Sequence, residues 1–222
     1  MTSDPKRIVF AQFYLRHRYS LLFYALLFTM VAGPVLHALK LSGTLFESLL
    51  AMSLLAAIMP DPVKGHRLLL VLMIVAWPAR LLAVWLGHRV LSAITLVIWT
   101  VIGLLAVVAA LRFAMRAAKV DAEHLYAALS AYLLAGFCFG LLYWVLEQLS
   151  SGTFAVSGGF SQASAIYFSF VTLATLGYGD ITPRADVARG LAIIEGVGGQ
   201  LFLAVLVARL VSLYSKTGNE SS

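Results

Sequence analysis

The chain of 222 residues contains little charge for its length. Only 12% of its residues are Asp, Glu, Lys or Arg, whereas 61% are hydrophobic and the mean hydropathy is +0.92. So few charged side chains cannot cover all sides of a protein that is surrounded by water. The composition therefore excludes a soluble globular protein and indicates a chain that lies in a lipid bilayer.

Cysteine is almost missing, since Cys138 is the only one and lies inside an apolar run. A single cysteine cannot form an intrachain disulfide, and we interpret its thiol as a small buried apolar side chain. The sequence also shows no metal-ligand spacing of Cys and His and no pairing of a nucleophile with a general base. We therefore expect no cofactor and no enzymatic activity.

Acidic residues are fewer than basic ones, 10 against 16, which gives a formal net charge of +6. The basic residues flank apolar runs and are not collected on the face of a soluble domain. This placement excludes nucleic acid as the expected partner and instead marks the loops that face the cytoplasm. With 11 of the 16 basic residues placed inside, both termini are expected to be cytoplasmic.

Six apolar segments are long enough to cross the bilayer as helices, for which about 20 residues suffice. A helix satisfies its own backbone polar groups, whereas an open strand in lipid does not. The segments cover approximately residues 20–39, 41–59, 68–86, 90–111, 122–149 and 185–214.

These segments predict four regions along the chain. Residues 1–19 form a basic cytoplasmic segment, either a short amphipathic helix on the inner leaflet or a frayed basic tail. We expect the apolar run that follows to be a retained helix and not a cleaved signal peptide. The remaining regions are a four-helix transmembrane domain (20–120), a second membrane domain (121–214) and a short cytoplasmic tail (215–222).

The most informative string, Thr-Leu-Ala-Thr-Leu-Gly-Tyr-Gly-Asp, covers residues 172–180 between the last two apolar segments. A short glycine-containing string is by itself often only a turn. Inside a membrane protein, however, an extended backbone here can present a column of carbonyl oxygens, and such oxygens replace the water shell of a potassium ion. Gly177 and Gly179 supply the left-handed backbone angles that the column needs.

This string resembles the potassium-channel signature Thr-x-x-Thr-x-Gly-Tyr-Gly-Asp at every signature position, and the resemblance covers residues 123–214. It implies an all-α membrane protein with six transmembrane helices, a re-entrant pore helix (161–174) and a selectivity filter. On this resemblance, residues 121–214 are the potassium-channel pore domain. Because the chain has one filter string and a pore needs a ring of them, a homotetramer is expected. The residues expected to bind the permeant K⁺ are Thr175, Leu176, Gly177, Tyr178 and, at the outer end of the filter, Gly179.

The resemblance also assigns residues that support the filter. In many family members aromatic side chains brace it like a cuff, and Tyr167 and Phe168 occupy those positions, with Tyr167 in reach of Asp180. Val171 stands where some bacterial relatives carry a glutamate that pairs with the filter aspartate, so that pair is missing. The Thr172 hydroxyl is expected to bond the backbone behind the filter or, alternatively, its own helix.

The last apolar segment carries further candidates. Gly198 and Gly199 are candidates for a hinge, because family members bend the inner helix open near this position; close helix packing is the alternative. Glu195 is a buried polar candidate that we expect to bond a pore-helix hydroxyl such as Ser164 or Ser169. Gln200 faces either the aqueous cavity or a neighbouring helix.

The first four apolar segments lack the arginine ladder of a voltage sensor. Residues 90–111 contain no charged side chain, Arg80 stands alone in the third segment, and Glu47 is the only acid of the four. We therefore expect no steep intrinsic voltage dependence, and the sequence identifies no regulatory partner.

Together these observations predict passive, selective potassium conduction across a cell membrane by a multi-pass protein. The resemblance favours a bacterial inner membrane. The alternatives are a less selective cation channel and a non-conducting regulatory or structural membrane subunit.

Overall fold

The computed structural model describes residues 5–38, 43–58, 64–116 and 121–219. Within these ranges nearly all of the chain is helical, so the predicted all-α class is confirmed. Two short strands, β1 (Phe154–Ala155) and β2 (Thr182–Pro183), pair antiparallel. The helices are α1 (Pro5–Ala38), α2 (Gly43–Ile58), α3 (Lys64–Trp85), α4 (Arg89–Arg116), α5 (Ala122–Leu149), α6 (Gln162–Leu173) and α7 (Asp186–Asn219).

The first helix begins earlier than the apolar pattern indicates. Its backbone is helical from Pro5 onward and departs from helical angles at His17, where φ is −119° and ψ is 16°. A helix thus extends through most of the basic segment, which favours the helical alternative over a frayed tail. The position of this segment on the inner leaflet stays a prediction.

Three helices in the described ranges are long and apolar enough to cross a membrane. They cover Val90–Arg116, Ala122–Leu149 and Asp186–Ser212, and α3 contributes a shorter apolar stretch from Met73 to Trp85. These helices support a membrane protein. The count of six spans, like the predicted domain boundaries, stays a prediction.

Helix α5 is the central element, since it packs against α1, α4, α6 and α7. Two glycines let α6 approach its backbone closely. A Cβ atom on Gly136 would lie 2.7 Å from the ring of Phe170, and one on Gly140 would lie 2.8 Å from the Cα of Ile166. Because real Cβ contacts are essentially never this short, larger residues at these two positions would force the helices apart.

The single cysteine lies at the contact between α5 and α4. Cys138 is 2% exposed, and a Cβ atom on Gly103 of α4 would lie 2.6 Å from its sulfur. Its interpretation as a buried apolar side chain is therefore confirmed.

An aromatic cluster joins α5, β1 and α6. The rings of Tyr143 and Phe168 have centroids 5.0 Å apart, and the Phe154 ring lies 5.5 Å and 5.3 Å from them, in edge-to-face arrangements that such rings favour. Next to this cluster, the Arg184 amide donates to the Thr153 carbonyl at 2.8 Å. These contacts join the loop that connects α5 to α6 with the loop that connects α6 to α7.

Side chains cap the starts of α5 and α6. The Asp121 carboxylate accepts from the His124 amide at 3.0 Å, and the Ser161 hydroxyl accepts from the Ser164 amide at 3.1 Å. Each satisfies a backbone donor that the helix leaves unpaired. The His124 amide also lowers the pKa of the Asp121 carboxyl group, because it favours the charged form.

Candidate functional site

The candidate filter begins where α6 ends and is folded back over the last turn of that helix. The Thr175 amide donates to the Thr172 carbonyl at 3.0 Å, and the Leu176 amide donates to the Val171 carbonyl at 2.9 Å. Val171 and Thr172 thus contact the filter through their carbonyl oxygens. The side chain of Val171 itself is buried.

The filter backbone alternates in handedness. Thr175, Gly177 and Gly179 have φ angles of 55°, 60° and 77°, and they are separated by Leu176 and Tyr178, which do not have positive φ. The glycines adopt such angles at no steric cost, whereas a β-branched threonine with positive φ is an outlier of the kind that concentrates at functional sites. This alternation is the backbone pattern that a column of carbonyl oxygens requires.

The filter lies at the surface of the single chain. Leu176 is 56% exposed and Tyr178 is 65% exposed, and every residue from Ala174 to Asp180 is exposed. A cation placed beside these residues would therefore be covered by this chain on one side only.

Tyr167 and Phe168, the two aromatic residues of α6 that were expected to brace the filter, differ in exposure. Tyr167 is exposed on the filter side, and its hydroxyl interacts with the Asp180 carboxylate. Phe168 is buried, with its ring packed edge to face against Tyr143 and Phe154. The expected part of Phe168 in a cuff around the filter stays a prediction.

Glu195 of α7 is 1% exposed and lies behind α6. Its carboxyl group accepts a hydrogen bond of 2.6 Å from the Tyr143 hydroxyl, and its other oxygen contacts the Ser169 hydroxyl. Ser169 also donates to the Gly136 carbonyl at 2.7 Å. Of the two expected hydroxyl partners, Ser169 is in contact, whereas Ser164 bonds the Ser161 hydroxyl at 2.9 Å.

Helix α7 crosses the end of α6 at Gly199. A Cβ atom on Gly199 would lie 2.6 Å from the Leu173 carbonyl oxygen, and one on Gly198 would meet no atom within 4 Å. Gly199 therefore permits close packing, which supports the packing alternative at that residue. The hinge assignment of Gly198 and Gly199 stays a prediction.

The next residue of α7, Gln200, points at the inner end of the filter. Its amide nitrogen lies 3.3 Å from the Thr175 hydroxyl oxygen. The Leu173 carbonyl, just before the filter, accepts a hydrogen bond of 3.2 Å from the Tyr132 hydroxyl of α5. The base of the filter thus contacts both of the long helices that flank α6.

Sequence reasoning did not single out Tyr132 and Tyr143. The two residues are eleven positions apart, which places them on one face of α5, three turns from each other. Two hydroxyl groups on one face of an apolar helix are the signal that could have identified them, because buried tyrosine hydroxyls need a partner.

Known proteins match the part of the chain that contains this site. Residues 128–216 match a family model described as "Ion channel". Two pore potassium channel c of Oryza sativa subsp. japonica is 38% identical over 91 residues, which are 40% of this chain and 18% of that protein. Protein LctB of Bacillus caldotenax is 29% identical over 100 residues, 42% of this chain and 74% of that protein.

An archaeal protein gives a shorter match. Probable potassium channel protein 2 of Methanocaldococcus jannaschii is 38% identical over 56 residues, 24% of this chain and 16% of that protein. The chain thus spans less than a fifth of the rice and archaeal relatives that it matches. No solved structure matches the chain. These findings confirm the resemblance predicted from the filter string, over the C-terminal part of the chain.

Proposed function

We propose that this chain is one subunit of a potassium-selective channel, because residues 128–216 match an ion-channel family model and overlapping segments are similar to potassium channels. The observation that carries the proposal is the alternation of positive φ at Thr175, Gly177 and Gly179 in an exposed segment. In the channel, the carbonyls of Thr175, Leu176, Gly177 and Tyr178 bind dehydrated K⁺ ions in single file.

The proposed assembly is a homotetramer around the filter. Two features support it: the filter lies at the chain surface, and α7 leaves most of its apolar side chains unburied. A helix of this kind buries its surface against other copies and against lipid. The large apolar residues exposed on α7 are Val187, Ile193, Ile194, Val197, Leu201, Leu203, Val205, Val207 and Val211.

The proposed channel lies in the cell membrane with both termini in the cytoplasm and the outer end of the filter on the opposite side. The distribution of basic residues supports this orientation. Steep voltage dependence is not expected, since α4 has no charged residue between Arg89 and Arg112. Charge must move through the membrane field for such a dependence.

Flux measurements test the proposal directly. The full chain, purified and reconstituted in liposomes, is expected to admit K⁺ in preference to Na⁺. Gly177→Asp should abolish this flux because it places a carboxylate and a Cβ at a filter residue with φ of 60°.

Gly158→Asp is the matched control. Gly158 also has positive φ, 86°, and a Cβ added there would also meet no atom within 4 Å, but this glycine lies in the loop before α6. The flux of Gly158→Asp should equal that of the wild type. Equal entry of K⁺ and Na⁺ into wild-type liposomes would instead support a less selective cation channel, and no flux would support a non-conducting subunit.

A further inference from the structure

A buried ion pair connects α2 and α3. The Arg80 guanidinium donates to both carboxylate oxygens of Glu47, with Nε to Oε2 and Nη2 to Oε1 each at 2.8 Å. Arg80 is 5% exposed. An unpaired charge in an apolar membrane environment is unfavourable, so each of these residues requires the other.

Hydrogen bonds connect this ion pair to further helices. The side-chain amide of Gln162, the first residue of α6, donates to Glu47 Oε1 at 2.9 Å. Arg80 in turn donates through Nη1 to the carbonyl oxygen of Ser92 in α4 at 3.3 Å and contacts its hydroxyl. The Ser92 hydroxyl is 3.4 Å from Gln148 of α5. The Glu47–Arg80 pair thus links α2, α3 and α4 to the start of the helix that precedes the filter.

The network lies at the wall of a cavity of about 530 Å³. The other walls include the turn between α3 and α4, at Gly87 and His88, and the loop that leads into α6, at Ser151 and Phe160. Both segments lie toward the side on which β1 pairs with β2. The network therefore lies at the end of the molecule that carries the start of α6 and the loop from α5 to α6.

Helix α6 is held along its length by α5 and α7, and at its first residue by α2. In its middle, Ile166 and Phe170 contact the glycine positions of α5. At its start, Gln162 is held by Glu47. A helix of 12 residues is about 18 Å long and stiff. A displacement at Gln162 would therefore pass along the helix toward Val171 and Thr172, whose carbonyls accept from the filter backbone, and would act against the contacts of Ser169 and Leu173.

We propose that Glu47 and Arg80 position the first turn of α6 through Gln162, and that they couple the conformation of α2–α4 to the filter. Hydrogen bonds to an ionised carboxylate are stronger than those between neutral groups. The bond from Gln162 to Glu47 is therefore strong enough to hold the start of α6 in place. The effect on the filter rests on the function proposed above. The positioning of α6 does not, since it follows from contacts within the chain.

Gln162→Met is the sharpest test, because it removes the link to α6 and leaves the Glu47–Arg80 pair in place. Ser53→Ala is the matched control. Ser53 is a buried polar residue of α2 whose hydroxyl bonds the Leu49 carbonyl of its own helix at 2.8 Å. Both variants lose one hydrogen bond, and only one of these bonds reaches α6.

The first measurement is amide hydrogen exchange of the full chain in detergent or lipid. In Gln162→Met the amides of Ala165 and Ile166 should exchange about tenfold faster, whereas those of α2 and α3 should be unchanged. Ser53→Ala should leave exchange in α6 unchanged. Wild-type exchange at Ala165 and Ile166 in Gln162→Met overturns the positioning proposal, whether or not the protein conducts.

The second measurement is the ratio of K⁺ to Na⁺ flux in liposomes. We expect this ratio to fall about fivefold or more in Gln162→Met and at least as far in Glu47→Gln, which also leaves Arg80 without its counter-charge. Adding Gln162→Met to Glu47→Gln should lower the ratio no further, because the charge that holds Gln162 is then already gone. Unchanged ratios in the single variants, or independent effects that multiply in the double variant, contradict the coupling. Absence of any flux from the wild type contradicts the proposed function instead, and the exchange measurement then decides the positioning.

Discussion

The Tyr143 hydroxyl donates a hydrogen bond of 2.6 Å to the Glu195 carboxyl group. The second oxygen of Glu195 contacts the Ser169 hydroxyl, which also lies 2.7 Å from the Gly136 carbonyl. Ser169 has only one proton to donate. When that proton is directed to Gly136, the proton of the Ser169–Glu195 contact belongs to Glu195, so this site accommodates an uncharged acid.

Glu195→Gln is expected to preserve this arrangement. The glutamine oxygen can accept from Tyr143, and its amide nitrogen can donate to Ser169. Glu195→Leu should lower the free energy of unfolding by about 1–3 kcal/mol, because it leaves the Tyr143 hydroxyl buried without an acceptor. Thermal unfolding and flux of the purified protein check both variants. If Glu195→Gln lowers stability and flux as much as Glu195→Leu does, the site requires the negative charge of the carboxylate.

Tyr143→Phe tests the same site from α5. The ring keeps its contacts with Phe154 and Phe168, and only the donor to Glu195 is removed. We expect a loss of about 1–3 kcal/mol in the free energy of unfolding. Tyr126→Phe is the control, because its hydroxyl makes an exposed contact of 3.1 Å with another tyrosine. Equal stability of the two variants would show that the Tyr143 hydroxyl contributes nothing.

Two glycines of α7 that lie about one helical turn apart, Gly196 and Gly199, are expected to respond differently to an added methyl group. A Cβ on Gly199 would lie 2.6 Å from the Leu173 carbonyl, whereas one on Gly196 would lie 3.8 Å from the Thr172 carbonyl. Gly199→Ala should therefore push α7 away from the base of the filter and reduce both stability and flux. Gly196→Ala should be neutral or stabilise the helix by up to about 1 kcal/mol.

Melting temperature and K⁺ flux measured on both variants separate the two explanations of Gly199. A variant Gly199→Ala that melts like the wild type but conducts less would remove the packing argument and leave only the hinge. Loss of stability in both variants would mean that α7 tolerates no Cβ along this face.

The cap of α5 predicts a dependence on pH. The His124 amide lowers the pKa of the Asp121 carboxyl below its ordinary value of 3.8. A lowered pKa means that the charged cap stabilises the folded state at pH above 3.8. The stabilisation is lost as the pH falls through the pKa of the folded protein.

Asp121→Asn separates capping from charge, because asparagine caps a helix equally well without titrating. Asp121→Ala should lose about 1 kcal/mol at neutral pH. The difference in melting temperature between wild type and Asp121→Asn should therefore change between about pH 6 and about pH 3. A difference that is constant with pH would show that the ionisation of Asp121 has no effect on stability.

The sequence predicted the central part of the pore domain closely. The pore helix expected over residues 161–174 is α6, Gln162–Leu173, and the glycines expected to have left-handed angles, Gly177 and Gly179, have them. These features are local: a cap residue, an apolar run and glycines with a fixed order. The left-handed Thr175 was not predicted, because no intrinsic preference of threonine favours that angle.

Contacts between distant segments were beyond the reach of the sequence. Glu47 and Arg80 are 33 residues apart, and Glu47 and Gln162 are 115 apart, so only the packing of the helices brings them together. The sequence did show that one acid and one lone arginine occur in apolar helices, which is the signal for such a pair. The early start of α1 was missed for another reason. Hydropathy counts Lys and Arg against a membrane helix, although both residues are good helix formers.

The placement of Cys138 has a practical consequence for labelling experiments on this protein. A thiol that is enclosed between two helices, with its sulfur over Gly103, is shielded from water-borne reagents. Every cysteine introduced at an exposed position is thus expected to be the sole reactive thiol of the chain. Spin labels, fluorophores and cross-linkers can therefore be attached to an introduced cysteine without first replacing Cys138.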